Sequence, residues 1–293
     1  MINDKLLLID GFNLLSRGYF ATAYGKTPEQ LTKNQNGQYT NALRVFLQKL
    51  FNLTKEHNIS HLVVAWDVKR EELSRRKEYE FYKAQRNELP SPLIQQYETL
   101  TVFLNNIGVS QLTVSPYEAD DIIGTLANHW NNESIGNCFI YSNDKDLFQL
   151  LSPQTSQITS QKKTEIIYTL DLFKEEFNID SNQWVDVKAL LGDTSDNIPG
   201  CPGIGEKSAL PLIQQYGSLE GIYNNIENLD TRFNRYKKKL IEGETKALLS
   251  KELSTIICDI EELQKTDFNN FRINISNKIL YEELNNLELR IKI

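Results

Sequence analysis

Softer metal ligands are scarce in this chain. Only three histidines (His57, His61, His129) and three cysteines (Cys138, Cys201, Cys258) occur in 293 residues, widely spaced and without a Cys-x-x-Cys pair. That spacing argues against a zinc site or a disulfide framework and leaves the cysteines as apolar, buried thiols. There is no apolar run of about 18 residues, so no membrane-spanning helix and no membrane partner are expected. The opening Met1-Ile2-Asn3-Asp4 lacks the basic-then-apolar layout of a secretory leader, and the expectation is a cytoplasmic protein. An excess of positive charge is also missing. The formal net charge is −7, which at first sight argues against a nucleic-acid partner. The argument weakens if many of the acids gather in one metal cavity, because bound cations offset them and the remaining surface can be basic in patches.

What the chain has in plenty is apolar residues, 40% of the total, enough for one large domain or a domain with an appendage. It also has paired acids. Glu118, Asp120 and Asp121 open an amphipathic helical pattern through Ile122, Ile123, Leu126, Ala127 and Trp130, and Asp144 and Asp146 follow the apolar run Asn137 to Ser142. Two further runs end the same way: Lys5 to Ile9 in Asp10, and His61 to Trp66 in Asp67. In open parallel sheets, ligands bind outside the carboxyl ends of the strands. A single acid after a strand is ordinarily a solvated turn residue, but three such pairs and the Glu118 cluster aim carboxylates at one crevice. Carboxylates gathered so closely raise one another's pKa unless a cation lies between them, and a divalent ion is the simplest neutraliser.

Behind Asp10, Arg17 is placed to grip a phosphate and Tyr19 or Phe20 to stack on a base. The segment from Lys69 to Arg86 carries seven basic and four acidic residues with interleaved aromatics and no apolar stripe. It reads as exposed helices beside the acidic crevice, a phosphate-gripping lid in which Arg75, Arg76 and Tyr82 face DNA. A hairpin is expected from Gln157 to Tyr168 around Gln161-Lys162-Lys163. Beyond a helix from Trp184 to Leu191 come Asp193 and Asp196, then Gly200-x-x-Gly203-Ile204-Gly205 and Lys207 at the start of a new helix. Gly203 and Gly205 let the backbone approach a phosphate where unsatisfied N–H groups and the positive end of the helix lie. Helix-hairpin-helix modules hold DNA backbones in this way without reading sequence. The tail after Phe271 carries no signal.

Taken together, Asp10, Asp67, Glu118-x-Asp120-Asp121, Asp144-x-Asp146 and Gly192-Asp193-x-x-Asp196-Asn197, followed by the glycine hairpin, resemble the 5′ nuclease family. That family includes flap endonucleases and the 5′-3′ exonuclease domain of bacterial DNA polymerase I, and the likeness is nearest to its free-standing bacterial members. It covers nearly the whole chain. The resemblance implies an α/β fold with a mostly parallel sheet flanked by helices over residues 1–175, a helical arch over about 69–92, and a helical DNA-binding domain over 176–293 with a helix-three-turn-helix over about 184–216. It implies that the nine acids hold two or three Mg²⁺ or Mn²⁺ ions. Asp144, Asp146, Glu118 and Asp120 would hold the tighter ion, and Asp193, Asp196, Asp10, Asp67 and Asp121 the second. Lys83 and Arg86, in Tyr82-Lys83-x-x-Arg86, would contact the scissile phosphate, and the carbonyls of Gly200, Cys201 and Ile204 would hold K⁺. One departure is visible: Glu80 stands where the family usually has a proline before the arch lysine motif.

The activity implied is hydrolysis of DNA at 5′ flaps, nicks and 5′ overhangs by a monomer, in replication and repair, with RNA primers as further substrates. Two other readings stay open at the level of sequence: a DNA-junction binder without catalysis, and an Asp-rich hydrolase acting on RNA or small phosphate esters.

Overall fold

Alternate residues of the first strand face opposite ways, and each side is apolar. The computed structural model describes residues 4–161 and 164–293. In β1 (Asp4–Asp10), Leu7 and Ile9 enter one core while Leu6 and Leu8 enter another. A strand buried on both faces belongs at the centre of a sheet with helices on either side. β1 lies in the middle of six strands ordered β3-β2-β1-β4-β5-β6, with β2 at His61–Ala65, β3 at Ser110–Leu112, β4 at Gly136–Tyr141, β5 at Thr155–Gln161 and β6 at Thr164–Tyr168. All neighbours are parallel except β5 and β6. The hairpin expected there is present, and its turn at Lys162-Lys163 lies outside the described residues.

The helices α1 (Gly11–Ala23), α2 (Asn41–Glu56), α3 (Ser74–Glu78), α4 (Ser91–Asn106) and α5 (Ala119–Asn132) follow the strands in turn. α1, α2 and α4 cover the Leu7 face, with Phe46, Leu50 and Phe103 fully or almost fully buried; α5 covers the Leu6 face through Ile122, Ile123, Leu126 and Trp130. A third core is helical, built from α6 (Leu170–Phe177), α7 (Trp184–Leu191), α8 (Glu206–Tyr216), α9 (Leu219–Asn224) and α10 (Lys237–Ser254). Phe148, Phe173, Phe177 and Trp184 pack ring against ring within it, edge to face or tilted.

The chain then returns to the sheet. Ile260, Leu263, Phe268 and Phe271 join the α5 core, and α11 (Asn277–Asn286) brings Leu280 and Leu284 to the opposite one. The tail after Phe271, which carried no sequence signal, therefore helps to close the Leu7 face of the sheet, and the segment just before it the other. Among the described residues, no helix is long and apolar enough to cross a membrane.

Candidate active site

With β2 on one side of β1 and β4 on the other, the strand order reverses at the carboxyl end of β1, where such sheets leave a crevice. Three strands deliver acids there in register: Asp10 pairs with Ala65, two residues before Asp67, and Ile9 pairs with Tyr141, three residues before Asp144. α5 brings the fourth group. Its first amide, on Ala119, donates to the Asp67 carboxylate at 2.8 Å, so the positive end of the helix faces the acids. The resulting crevice, about 260 Å³, is lined by Asp10, Asp67, Glu118, Asp120, Asp121, Asp144, Asp146 and Asp196, with Arg17, Arg75, Lys83 and Arg86 among them.

Electrostatics divide these acids into two sets. Asp10 caps α1, accepting from the Asn13 amide at 3.0 Å and the Ser142 hydroxyl at 2.9 Å. Burial, and then the Asp67 charge, still push its pKa up to about 7. Burial also raises Asp120 well above the carboxylate range, with Asp144 and Asp10 adding to it. Asp67 is raised by burial although Lys83 opposes the shift. Asp146 is pushed up to about 7 by burial and by Asp144, although Lys188 opposes the shift. These raised carboxyls call for positive charge, which the chain supplies to Asp67 and Asp146 only in part.

The second set already has cations, supplied by the chain. Burial alone would raise Glu118, but Lys83 and then Arg75 outweigh it and hold the group below its ordinary value. Lys83 forms an ion pair with Glu118, and the Tyr82 hydroxyl donates to the same carboxylate at 2.9 Å. Arg86 donates to Asp196 through Nε at 2.9 Å. The Lys83 backbone sits at φ 54°, in the left-handed region, and its amide donates to the Asp196 carbonyl at 2.9 Å, which turns the side chain into the crevice. Lys188 on α7 bridges Asp146 at 2.8 Å and Asp193 at 3.1 Å. Among the described residues, no three acidic, histidine or cysteine side chains converge as a ready-made ion cage. The donor set is nevertheless hard oxygen throughout, and the raised carboxyls of the first set fit a hard divalent cation.

A family model described as the N-terminal resolvase-like domain of 5′-3′ exonucleases matches residues 5–178, and one described as their C-terminal SAM fold matches 179–278. The chain belongs to the 5′-3′ exonuclease family. A 5′-3′ exonuclease of Halalkalibacterium halodurans is 57% identical over all of this chain and 97% of that protein. DNA polymerase I of Caldicellulosiruptor bescii is 36% identical over 98% of this chain, which spans 33% of the polymerase's length. In fold, the chain is similar to a bacteriophage T5 flap endonuclease solved with DNA and metal ions, at a TM-score of 0.66 and 22% identity, over 97% of this chain and 99% of that one.

Within this family frame, several residues take places that the sequence did not suggest. Asp193 does not line the main crevice but a neighbouring cavity of about 680 Å³, with Lys188, Thr194, Gly205 and Glu206. Asp144, Asp10 and Asp67 all act on Asp120, and Asp144 and Asp193 both act on Asp146. Asp121 is 1% exposed and its oxygens are spoken for: Arg75 grips them at 2.7 and 2.9 Å, and the Glu118 and Ile257 amides donate to them. Arg75, expected on DNA, is thus the partner of Asp121 and Glu118, and it also holds the Thr255 carbonyl at 2.7 Å.

The lid has a 3-10 turn, Arg70–Glu72, and a five-residue helix, α3, neither with a buried residue, followed by a turn in which Tyr82 is 3% exposed. Arg76 braces that turn by donating to the Glu80 and Tyr82 carbonyls. Tyr19 is a core residue, while Phe20 beside it is 55% exposed. Arg17 does line the crevice, where it donates to Asn143. In the glycine hairpin, Gly203 and Gly205 are exposed ahead of α8, and Lys207 is exposed in its first turn. Gly200 and Cys201 are buried beneath them, with the Cys201 carbonyl accepting from the Ile204 amide at 3.0 Å. Sequence reading missed Lys188, Asn13 and Ser142. The one available signal was that Lys188 is the only cation in a helix leading directly into Gly192-Asp193.

Proposed function

We propose that the chain is a divalent-metal-dependent 5′ nuclease that cleaves DNA at 5′ flaps and degrades it from 5′ ends. The observation that carries this reading is the raised carboxyl set Asp10, Asp120 and Asp146 at a sheet switch point, beside the buried ammonium of Lys83. Asp10, Asp67, Asp120 and Asp144 would hold Mg²⁺ or Mn²⁺, and Asp146, Asp193, Asp196 and Glu118 would complete the set around substrate. When bound, such ions supply a nucleophilic water and offset the charge developing on the leaving oxygen. The protein's own part is positioning. Lys83 and Arg86, once released from Glu118 and Asp196, present fixed charge to the scissile phosphate, and a single preorganised donor of this kind is worth roughly 3 kcal/mol. Arg17 orients the strand at the back of the crevice. The hairpin of Gly203, Gly205 and Lys207 would hold the duplex by its backbone and leave sequence unread, and the Gly200, Cys201 and Ile204 carbonyls would hold K⁺.

The test uses labelled flap, nick and single-strand DNA with purified protein. Asp144→Asn abolishes cleavage of a 5′-flap substrate in Mg²⁺ while retaining binding in Ca²⁺. Cleavage at the wild-type rate by this variant refutes the assignment. Turnover of RNA or small phosphate esters with none of flapped DNA would favour a different hydrolase.

A further inference from the structure

We infer that Lys188 is an exchangeable internal cation that holds the place of a divalent ion between Asp146 and Asp193. Its ammonium lies 2.8 Å from Asp146 Oδ1 and 3.1 Å from Asp193 Oδ2, and its side chain is 14% exposed. The two acids come from different elements, Asp146 from the turn after β4 and Asp193 from the loop after α7, and like charges brought this close favour a cation between them. Lys188 is anchored one turn before the end of α7, and Asp193 is fixed independently. The Asp193 Oδ1 atom accepts from the Ser195 amide at 2.8 Å and the Ser195 hydroxyl at 2.6 Å, and its backbone pairs with Ile198. The carboxylate therefore keeps its orientation when the lysine leaves.

There is room for it to leave. Lys188 also lines the adjoining cavity of about 680 Å³, where Glu206 and Thr194 offer its ammonium polar company. A lysine on a flexible four-carbon stem can exchange in this way, whereas a bidentate guanidinium is held in place. The exchange makes Lys188 a competitor of the ion at this position. The ion must displace a tethered positive charge, so it binds weakly in the free protein and well only when a substrate phosphate adds negative charge. Lys188 thereby sets the affinity for one ion without touching the sites built on Asp10 and Asp120. The inference rests on the metal-ligand reading of Asp146 and Asp193 proposed above.

The test is Mn²⁺ binding, followed by calorimetry and by the loss of free-ion spin resonance, on the full chain without DNA. Wild type is expected to show a tighter ion and a weaker one. Lys188→Met, which keeps the stem and removes the charge, tightens the weaker ion by about tenfold or more, because a competing unit charge at contact distance has been removed. Lys188→Arg weakens that ion and leaves the tighter one unchanged. Absence of any Mn²⁺ binding by wild type means that the metal reading itself has failed. Two ions in wild type, with Lys188→Met unchanged or weaker at the second, overturns the lysine's role while the metal reading stands. Failure of both Lys188→Met and Lys188→Gln to fold also overturns it, because it makes Lys188 a permanent brace.

Discussion

Arg75 is the residue on which sequence and structure differ most sharply, and its removal separates the two. As a DNA contact, it would be dispensable for folding. In the structure it is a buried brace: its side chain is 12% exposed, that of Asp121 is 1% exposed, and the pair meets through two parallel hydrogen bonds of 2.7 and 2.9 Å. Burial works against its charge, yet Asp121 and Glu118 raise its pKa further above the ordinary arginine value. Arg75→Met would leave Asp121 in the protein interior with only backbone amides, and would free the Thr255 carbonyl that joins α10 to the returning tail. Breaking one side of a buried pair costs about 3–5 kcal/mol, which for a domain of a few hundred residues is a fall in melting temperature of roughly 6–15 °C. Adding Asp121→Asn removes the stranded charge and recovers a good part of the loss. The assay is urea and thermal unfolding of wild type, both single variants and the double variant, with DNA affinity measured against salt well below the transition. An Arg75→Met protein as stable as wild type, whose salt dependence of DNA binding falls by about one phosphate contact, would refute the brace and restore the DNA role.

Two further outcomes are expected. Because the folded-state pKa values of Asp10 and Asp146 lie near 7 against an ordinary 3.8, the metal-free fold holds protons there that the unfolded chain releases. Their contribution is favourable at low pH and is lost as pH rises from about 4 through 7, so the stabilisation by Mg²⁺ over chelator grows across that window. Melting curves with and without Mg²⁺ from pH 5 to pH 8 check this, and a difference independent of pH contradicts it. At the hairpin, Gly192→Ala places a Cβ 2.5 Å from the Ile198 carbonyl oxygen and 2.6 Å from the Gly200 nitrogen, in a backbone at φ 70°. The strain is of order 1–3 kcal/mol and spreads the loop that carries Asp193, so both stability and duplex affinity fall in unfolding and binding assays. A variant with wild-type stability would show that this crossing is not needed.

The strands, most helices and the acids that end them were legible in the sequence, because they rest on local period. Leu6 to Ile9 reads as a doubly buried strand wherever it lies, and Asp10, Asp67 and Asp144 follow from the ends of such strands. The glycine hairpin was legible for the same kind of reason, since positive φ at Gly200 and Gly203 is a local demand. What local pattern cannot carry is which distant charges meet. Whether Arg75 faces phosphate or Asp121, whether Lys188 answers to Asp146, and whether Tyr19 or Phe20 turns outward depends on which surfaces the sheet and the helical unit press together. The same holds for the tail, whose apolar residues gain meaning only from the sheet face they cover. Sequence by itself determined the carboxylates and the strands that end in them. Only tertiary packing decided which of those carboxylates already have a cation from the chain and which are left for an ion from solution, because Coulomb energy depends on separation and burial and not on distance along the chain.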